Sequence, residues 1–436
     1  MSALALIARR RGVAVSGCDT DPTGRADLSE MGVQFFTGHD PAHVEGARAV
    51  VVTAAVPPEH PELVRARALG LPVVPRKEEL AGLIGASRSV AVSGAHGKTT
   101  TTVMATEALT AAGLDPTGIA GGRVSSWGGN ARLAGDSLFV VEADEFDKAF
   151  LTLHPTIAIV NNVEPDHLEC YGSVAALEDA FVEFAGRAST AIVSADDAGA
   201  RRVGLRLPST VLRFGFAAGA EIAISDVVQR SDATEADVVW KDGRSLHLRH
   251  QVPGIHNLRN AVAALGAVAV LGGDLATAAA ALETFPGVGR RFERLGEHRG
   301  VAVVDDYAHH PSELEATLSA ARQAFPGRRL VAVFQPHLYS RTAEHGQAMG
   351  RALAAADLVI VTEVYAAREQ PIPGVSGRQV AEAATGAGAD ASFEPARAEV
   401  GKHVFAALRP GDVVLTLGAG DITRVGAELV RSLDAA

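Results

Sequence analysis

The sequence predicts an α/β protein built on mostly parallel sheets. Short β-branched runs alternate with alanine-rich helical stretches along almost the whole chain. The runs are unbroken and apolar rather than alternating, as strands covered by helices on both faces must be. One of them leads directly into a glycine-lysine-threonine turn and then a helix-compatible run.

In chain order the strand candidates are Val13–Ser16, Ala49–Thr53, Val90–Ser93, Leu138–Glu142, Ile157–Asn161, Ala191–Ser194, Val301–Asp305, Leu330–Phe334, Leu358–Thr362 and Val413–Leu417. Between about Val211 and His250 the pattern turns polar, with Asp242-Gly243 marking a hairpin, and reads as a small antiparallel flap. A Gly/Ala/Ser stretch near Leu83–Arg88 and a Gly/Pro cluster at Phe285–Arg291 each precede a fresh α/β unit. The result is three lobes, in keeping with a length of 436 residues.

Composition narrows the function. A 47% hydrophobic and 21% charged chain is ordinary for a soluble globular protein, and no segment approaches the roughly 20 apolar residues that span a bilayer. The opening Met1–Arg11 segment carries its charge after its apolar part, the reverse of a secretory signal, so a cytoplasmic enzyme is expected. A formal charge of −11 disfavours nucleic-acid or anionic-membrane partners and points to small molecules. Cys18 and Cys170 lie far apart without metal spacing, suggesting neither a disulfide nor a zinc site.

The turn Gly94-Ala95-His96-Gly97-Lys98-Thr99-Thr100 reads as a triphosphate cradle. Its glycines let backbone N–H groups point inward, the following helix aims its positive end at the same spot, and Lys98 adds a full charge. Thr99 is placed to offer a hydroxyl to Mg²⁺. The spacing is shorter than the usual P-loop, which has four residues between its glycines, so the preceding strand and following helix carry the assignment.

Other candidates stand at strand ends, where parallel sheets open into crevices. Glu142 ends one strand and heads the acidic stretch Glu142-Ala-Asp144-Glu145, a place for a Mg²⁺ ligand or for a solvated turn. His167 follows the next strand and serves equally as ligand or as cap and packing residue. Asn257 and Asn260 share a helix face and could read an adenine edge, although helix capping also accounts for Asn257. Asp305-Asp-Tyr-Ala-His-His-Pro311 and Gln335-Pro-His-Leu-Tyr-Ser-Arg341 load two further strand ends with functional side chains. A di-histidine zinc site at His309-His310 is disfavoured, because adjacent histidines in an extended turn point apart. No nucleophile-elbow motif is present, so covalent enzyme catalysis is not expected.

Taken together, Gly94–Thr102, Glu142–Glu145, Glu164-Pro-Asp-His167, Pro253-Gly-Ile-His-Asn-Leu-Arg-Asn260, Arg290-Arg-Phe292, Asp305–Pro311, Phe334-Gln-Pro-His337, Pro371–Val375 and Leu417-Gly-Ala-Gly-Asp-Ile422 closely resemble the Mur ligase family over nearly the whole chain. The resemblance implies three domains: a Rossmann-like substrate domain over 1–86, a P-loop-type ATPase domain over 87–287 and a Rossmann-like domain over 288–436. It implies ATP-dependent joining of L-alanine to the lactyl carboxylate of UDP-N-acetylmuramate, through an acyl phosphate. Relatives that recycle a tripeptide onto the same nucleotide share the ATP motifs and remain an alternative.

The family implies roles residue by residue. Lys98 binds the β- and γ-phosphates within the ATP site Gly94, Ala95, His96, Gly97, Thr99 and Thr100. Thr99 and Glu142 hold one Mg²⁺, and His167 the second. Asn257 and Asn260 lie on the adenine side, Arg291 on the γ-phosphate, and Asp306 on the ribose. Gly121, Gly122, Asn130 and Arg132 belong to the UDP-sugar site, while His309 and Arg341 place alanine or the reacting phosphate. A monomer or weak homodimer is expected.

In the family the first domain begins with a strand and a glycine-rich turn that receives the UDP pyrophosphate, and Met1-Ser2-Ala3 corresponds to the tail of that turn. The comparison implies that the opening helix has no partner beneath its apolar face. It also implies a destabilised first lobe that binds the UDP substrate weakly, with ATP binding kept or with catalysis lost.

Overall fold

The structure, a computed structural model, describes residues 1–21, 26–367 and 369–435. It divides into two units. The first comprises Met1–Ser225, Asp237–Leu248 and Arg259–Glu283, and the second Asp226–Ala236, Arg249–Leu258 and Thr284–Ala436.

At the middle of the first unit lies the strand Arg88–Ser93, whose Val90, Ala91 and Val92 are fully buried. It belongs to a 10-stranded sheet and runs parallel to Leu138–Glu142 on one side and Ile157–Val160 on the other. The register sets Val92 beside Glu142 and Ser93 beside Val160, so the ends of three strands open at one level. Backbone bonds extend that alignment by a residue, from Ala143 N–H to Val92 O and from Asn161 N–H to Ser93 O.

The expected antiparallel flap is corrected in part. Thr210–Gly215 runs parallel to Thr190–Ser194 and parallel to the start of Ile222–Gln229, so these strands extend the main sheet. The hairpin at Asp242-Gly243 is present, with Gly243 at φ +89° and Trp240 N–H bonded to Arg244 O at 2.8 Å. Polar alternation marks a half-exposed strand without encoding its direction.

The opening helix, Ser2–Arg10, also departs from expectation. Its Ala3, Leu4, Leu6 and Ile7 are buried in one cluster with Leu80, Ile84, Ile119, Ala131 and Phe139. The apolar face therefore does have a partner, and burying Leu6 and Ile7 contributes about 1.5–3 kcal/mol each. Beside this helix stand two separate parallel pairs, Ser16–Asp19 with Gln34–Thr37 and Val50–Val52 with Val73–Pro75.

The second unit is built on a six-stranded sheet in the spatial order Glu293–His298, Val301–Asp306, Val413–Leu417, Leu330–Phe334, Leu358–Thr362, Ala391–Glu394. Only the first of these runs antiparallel to its neighbour. Helices Pro311–Ala324, Tyr339–Leu353 and Gly377–Gly386 pack on one face through Leu314, Leu318, Met349 and Val380. Arg397–Ala407 and Thr423–Ala435 cover the other through Val400, Val404, Val425 and Leu429. This is the doubly wound arrangement the unbroken apolar strands demanded.

Candidate active site

The strand Arg88–Ser93 delivers the chain into the turn at Gly94 (φ +140°) and Gly97 (φ +78°), and the helix Lys98–Ala111 begins at once. Both glycines are required. A Cβ on Gly97 would stand 2.7 Å from Asn260 Oδ1, and one on Gly94 would stand 3.1 Å from the backbone of Asn162. Thr99 and Thr100 are buried in the first helical turn. Two amides missing from the sequence-derived set brace the turn: Asn162 accepts from His96 N–H at 2.8 Å, and Asn161 Nδ2 donates to Thr101 Oγ1 at 2.9 Å.

Lys98 folds back over this turn. Its ammonium donates to Gly94 O at 2.8 Å and to both Glu145 carboxylate oxygens at 2.8 and 2.9 Å. Burial alone would push Lys98 down, but Glu145, Asp144 and Glu142 together raise it. Burial raises Glu145 as well, with Lys98 opposing the shift. The cradle thus holds a desolvated cation whose carboxylate partner a phosphate oxygen can replace. Glu145 was legible only as one of several acidic residues after its strand.

Glu142 ends its strand as expected and accepts from Gly121 N–H at 2.7 Å. A Cβ on Gly121 would lie 2.5 Å from Glu142 Oε1, and one on the adjacent Gly122 would lie 3.8 Å from Thr99 Cγ2. Gly121 thus contacts the Glu142 carboxylate directly and Gly122 lies near the Thr99 side chain, and a hydroxyl with a carboxylate suits a hard cation such as Mg²⁺. Asn130 accepts from Ser2 Oγ at 2.9 Å. Arg132 pairs across the strands with Gly118 and donates to Pro116 O at 2.8 Å, placing it toward the opposite end of the strand from Gly121.

His167 adopts φ +54° just before the helix Leu168–Tyr171. Its ring lies 5.0 Å from that of Phe146, the residue after Glu145, and its Nδ1 is 3.4 Å from Glu169. Tyr171 donates to the Glu145 carbonyl, so the loops carrying His167 and Glu145 are joined twice. Asn260 meets the cradle at Gly97. Asn257 sits within the first turn of the helix Ile255–Val270, where its amide donates to Pro253 O at 2.8 Å, and so is not that helix's cap.

In the second unit, the remaining candidates gather at the carboxyl ends of its strands. Asp306 is buried and accepts from Phe292 N–H at 2.7 Å and Ala308 N–H at 2.8 Å. Burial pushes its carboxyl up to about 6, against the opposing charge of Arg291. Arg290 and Arg291 both lie 4.8 Å from the Tyr307 ring, and Arg291 stands 3.9 Å from Glu313. His309 Nδ1 is 3.2 Å from Glu313, and its ring is 6.0 Å from that of His337. The chain of contacts closes with Arg341 Nη1 at 3.4 Å from His337 Nδ1. Arg291, His309 and Arg341 are thus linked through Glu313, which the sequence did not single out, and His337, which it offered within a strand-end motif without a role.

Three domain families match this chain: "Mur ligase family, catalytic domain" over residues 1–88, "Mur ligase middle domain" over 92–268, and "Mur ligase, glutamate ligase domain" over 290–420. The chain belongs to the Mur ligase family. It is 42% identical to the UDP-N-acetylmuramate–L-alanine ligase of Cutibacterium acnes, over 100% of this chain and 94% of that protein. It is also 42% identical to the ligase of the same name from Streptomyces avermitilis, over 99% and 95%. The crystal structure of the UDP-N-acetylmuramate-alanine ligase from Thermotoga maritima aligns with a TM-score of 0.85 at 30% identity, covering 100% of this chain and 96% of that one. A murein peptide ligase from Psychrobacter arcticus shares the fold, with a TM-score of 0.75 at 24% identity over 100% and 97%.

Proposed function

We infer that this chain is an ATP-dependent ligase that joins L-alanine to the lactyl carboxylate of UDP-N-acetylmuramate in peptidoglycan biosynthesis. The observation that carries this reading is full-length identity of 42% to relatives named for that reaction. The buried Lys98–Glu145 pair in the glycine cradle supplies the matching chemistry.

The reaction brings a carboxylate to the γ-phosphate of ATP, two anions that repel by roughly 4 kcal/mol at 4 Å in a surface-like dielectric. Lys98 would hold the β- and γ-phosphates after exchanging Glu145 for phosphate oxygens, and Arg291 would meet the γ-phosphate. Gly94, Ala95, His96, Gly97 and Thr100 would line the phosphates, with Asn162 holding the His96 N–H to brace the turn and the helix N-terminus facing the anion. Asn257 and Asn260 would serve the adenine, and Asp306 the ribose. Thr99, Glu142 and His167 would hold Mg²⁺, which when bound neutralises phosphate charge. The lactyl carboxylate displaces ADP to form an acyl phosphate, and the alanine amine then displaces phosphate, with His309 and Arg341 placing the reactants. No side-chain nucleophile takes part.

Gly121, Gly122 and Asn130 would contact the UDP-sugar, whereas Arg132, expected there as well, is turned toward Pro116 and Asp115 at the other end of the strand. We assign the domains to 1–86, 87–287 and 288–436. A cytoplasmic monomer or weak homodimer, without nucleic-acid or membrane partners, completes the reading. A net charge of −11 disfavours nucleic-acid and anionic-membrane partners; among the described residues no helix is long and apolar enough to cross a membrane. The test is phosphate release from ATP and Mg²⁺ with each acceptor withheld in turn. Release should require both UDP-N-acetylmuramate and L-alanine, and release supported by a tripeptide but not by alanine overturns the assignment.

A further inference from the structure

Away from the cradle, the first unit gathers an unusual donor set. Cys18 lies on the strand Ser16–Asp19, His39 follows the strand Gln34–Thr37, and Glu62 is the second residue of the helix Pro61–Ala68. The Cys18 Sγ stands 3.5 Å from His39 Nδ1 and 3.1 Å from each Glu62 carboxylate oxygen. His39 Nδ1 is 3.6 Å from Glu62 Oε2. Around a tetrahedral zinc ion with bonds of about 2.0–2.3 Å, neighbouring ligand atoms are separated by roughly 3.3–3.6 Å. The three atoms therefore span a face close to one such tetrahedron.

The surroundings fit a cation as well. Glu62 is buried, and two further imidazoles approach it: His43 Nδ1 at 2.8 Å from Oε1 and His60 Nδ1 at 3.9 Å from Oε2. Asp40 N–H donates to Oε1 at 3.1 Å and helps hold the carboxylate in place. The His60 ring packs edge-on against His39, 4.5 Å between centroids.

We propose that Cys18, His39 and Glu62 form a binding site for a divalent transition-metal cation of the zinc class, with water or His60 completing the coordination. Sulfur, imidazole and a single carboxylate form a set suited to zinc rather than to magnesium or calcium. Cys18 binds as thiolate and its proton leaves to solvent, so a dication meets two negative ligands and the site is neutral. The cation ties the strand pair Ser16–Asp19 and Gln34–Thr37 to the helix Pro61–Ala68. It closes a loop between residues 44 positions apart, and so acts as a clip on the first lobe.

The test uses the full chain stripped of metal, in excess Mg²⁺ to occupy hard-cation sites, titrated with Co²⁺ alone. One equivalent should bind with a near-ultraviolet thiolate-to-cobalt charge-transfer band that Zn²⁺ then bleaches, and Zn²⁺ should raise the melting temperature. Cys18→Ser should remove the band, His39→Ala should weaken Co²⁺ affinity at least tenfold, and Cys170→Ser should leave both unchanged. Circular dichroism confirms that each variant is folded. Absence of the band in the unsubstituted chain, or its survival in Cys18→Ser, overturns the proposal and leaves the cluster as a hydrogen-bonded contact.

Discussion

Replacing Lys98 with methionine removes one half of a buried ion pair and leaves Glu145, 2% exposed at its side chain, without its cation. At 2.8 Å and an effective dielectric of 20, the attraction alone is about 6 kcal/mol, most of it offset by the desolvation of both groups. The intact pair is therefore worth little, whereas Lys98→Met should cost about 3–5 kcal/mol, because the carboxylate stays buried and uncompensated. Adding Glu145→Gln removes that stranded charge. The double variant should recover most of the loss, a coupling of more than about 2 kcal/mol. Urea unfolding at pH 7, followed by a probe in the first unit, measures all four corners of the cycle. The Lys98→Met defect should also shrink as pH falls, since protonating Glu145 relieves it. Additive single effects would refute the reasoning, and so would a Lys98→Met defect independent of pH. Both Lys98 variants should lack ATP-dependent phosphate release.

Gly97→Ala forces a left-handed backbone on alanine and sets its Cβ 2.7 Å from Asn260 Oδ1; strain of about 1–3 kcal/mol should lower kcat/KM for ATP by roughly 10- to 100-fold. An unchanged kcat/KM contradicts the cradle geometry. Asp306, raised from 3.8 to about 6, keeps its proton in the fold while the unfolded chain loses it; stability should fall by about 3 kcal/mol as pH rises from 4 to 6 and then level off. Carboxyl ¹³C NMR, assigned by loss of the signal in Asp306→Asn, should show a midpoint near 6, and one below 4 disproves the burial argument. Ile7→Ala, at a site 1% exposed, should lower the unfolding free energy by about 2–5 kcal/mol, whereas a loss under 0.5 kcal/mol would mean the opening helix is not packed as described.

Local signals were legible wherever one segment carried the whole cue. The apolar strand, two glycines and Lys98 lie within ten residues, so the cradle could be read directly. Glu142 was legible because it ends a strand, but its bond to Gly121 depends on sheet register across 21 positions. Glu145 was one acid among several until burial against Lys98 singled it out. The partner of the opening helix comes from Ile119, Ala131 and Phe139, more than a hundred positions away. Cys18 offered no metal spacing because its neighbours His39 and Glu62 are 21 and 44 positions distant. The edge strands near 210–229 were misread in direction because parallel and antiparallel edges present the same half-exposed pattern.

The central claim, that the lactyl carboxylate takes the γ-phosphoryl group before the amine attacks, is tested most directly by oxygen transfer. UDP-N-acetylmuramate labelled with ¹⁸O in both lactyl carboxyl oxygens is turned over with ATP, Mg²⁺ and L-alanine, and the released phosphate is analysed by mass spectrometry. The account predicts one ¹⁸O in each phosphate and one kept in the new amide. Amide product formed alongside phosphate free of label, the expelled ¹⁸O appearing in water instead, would contradict it.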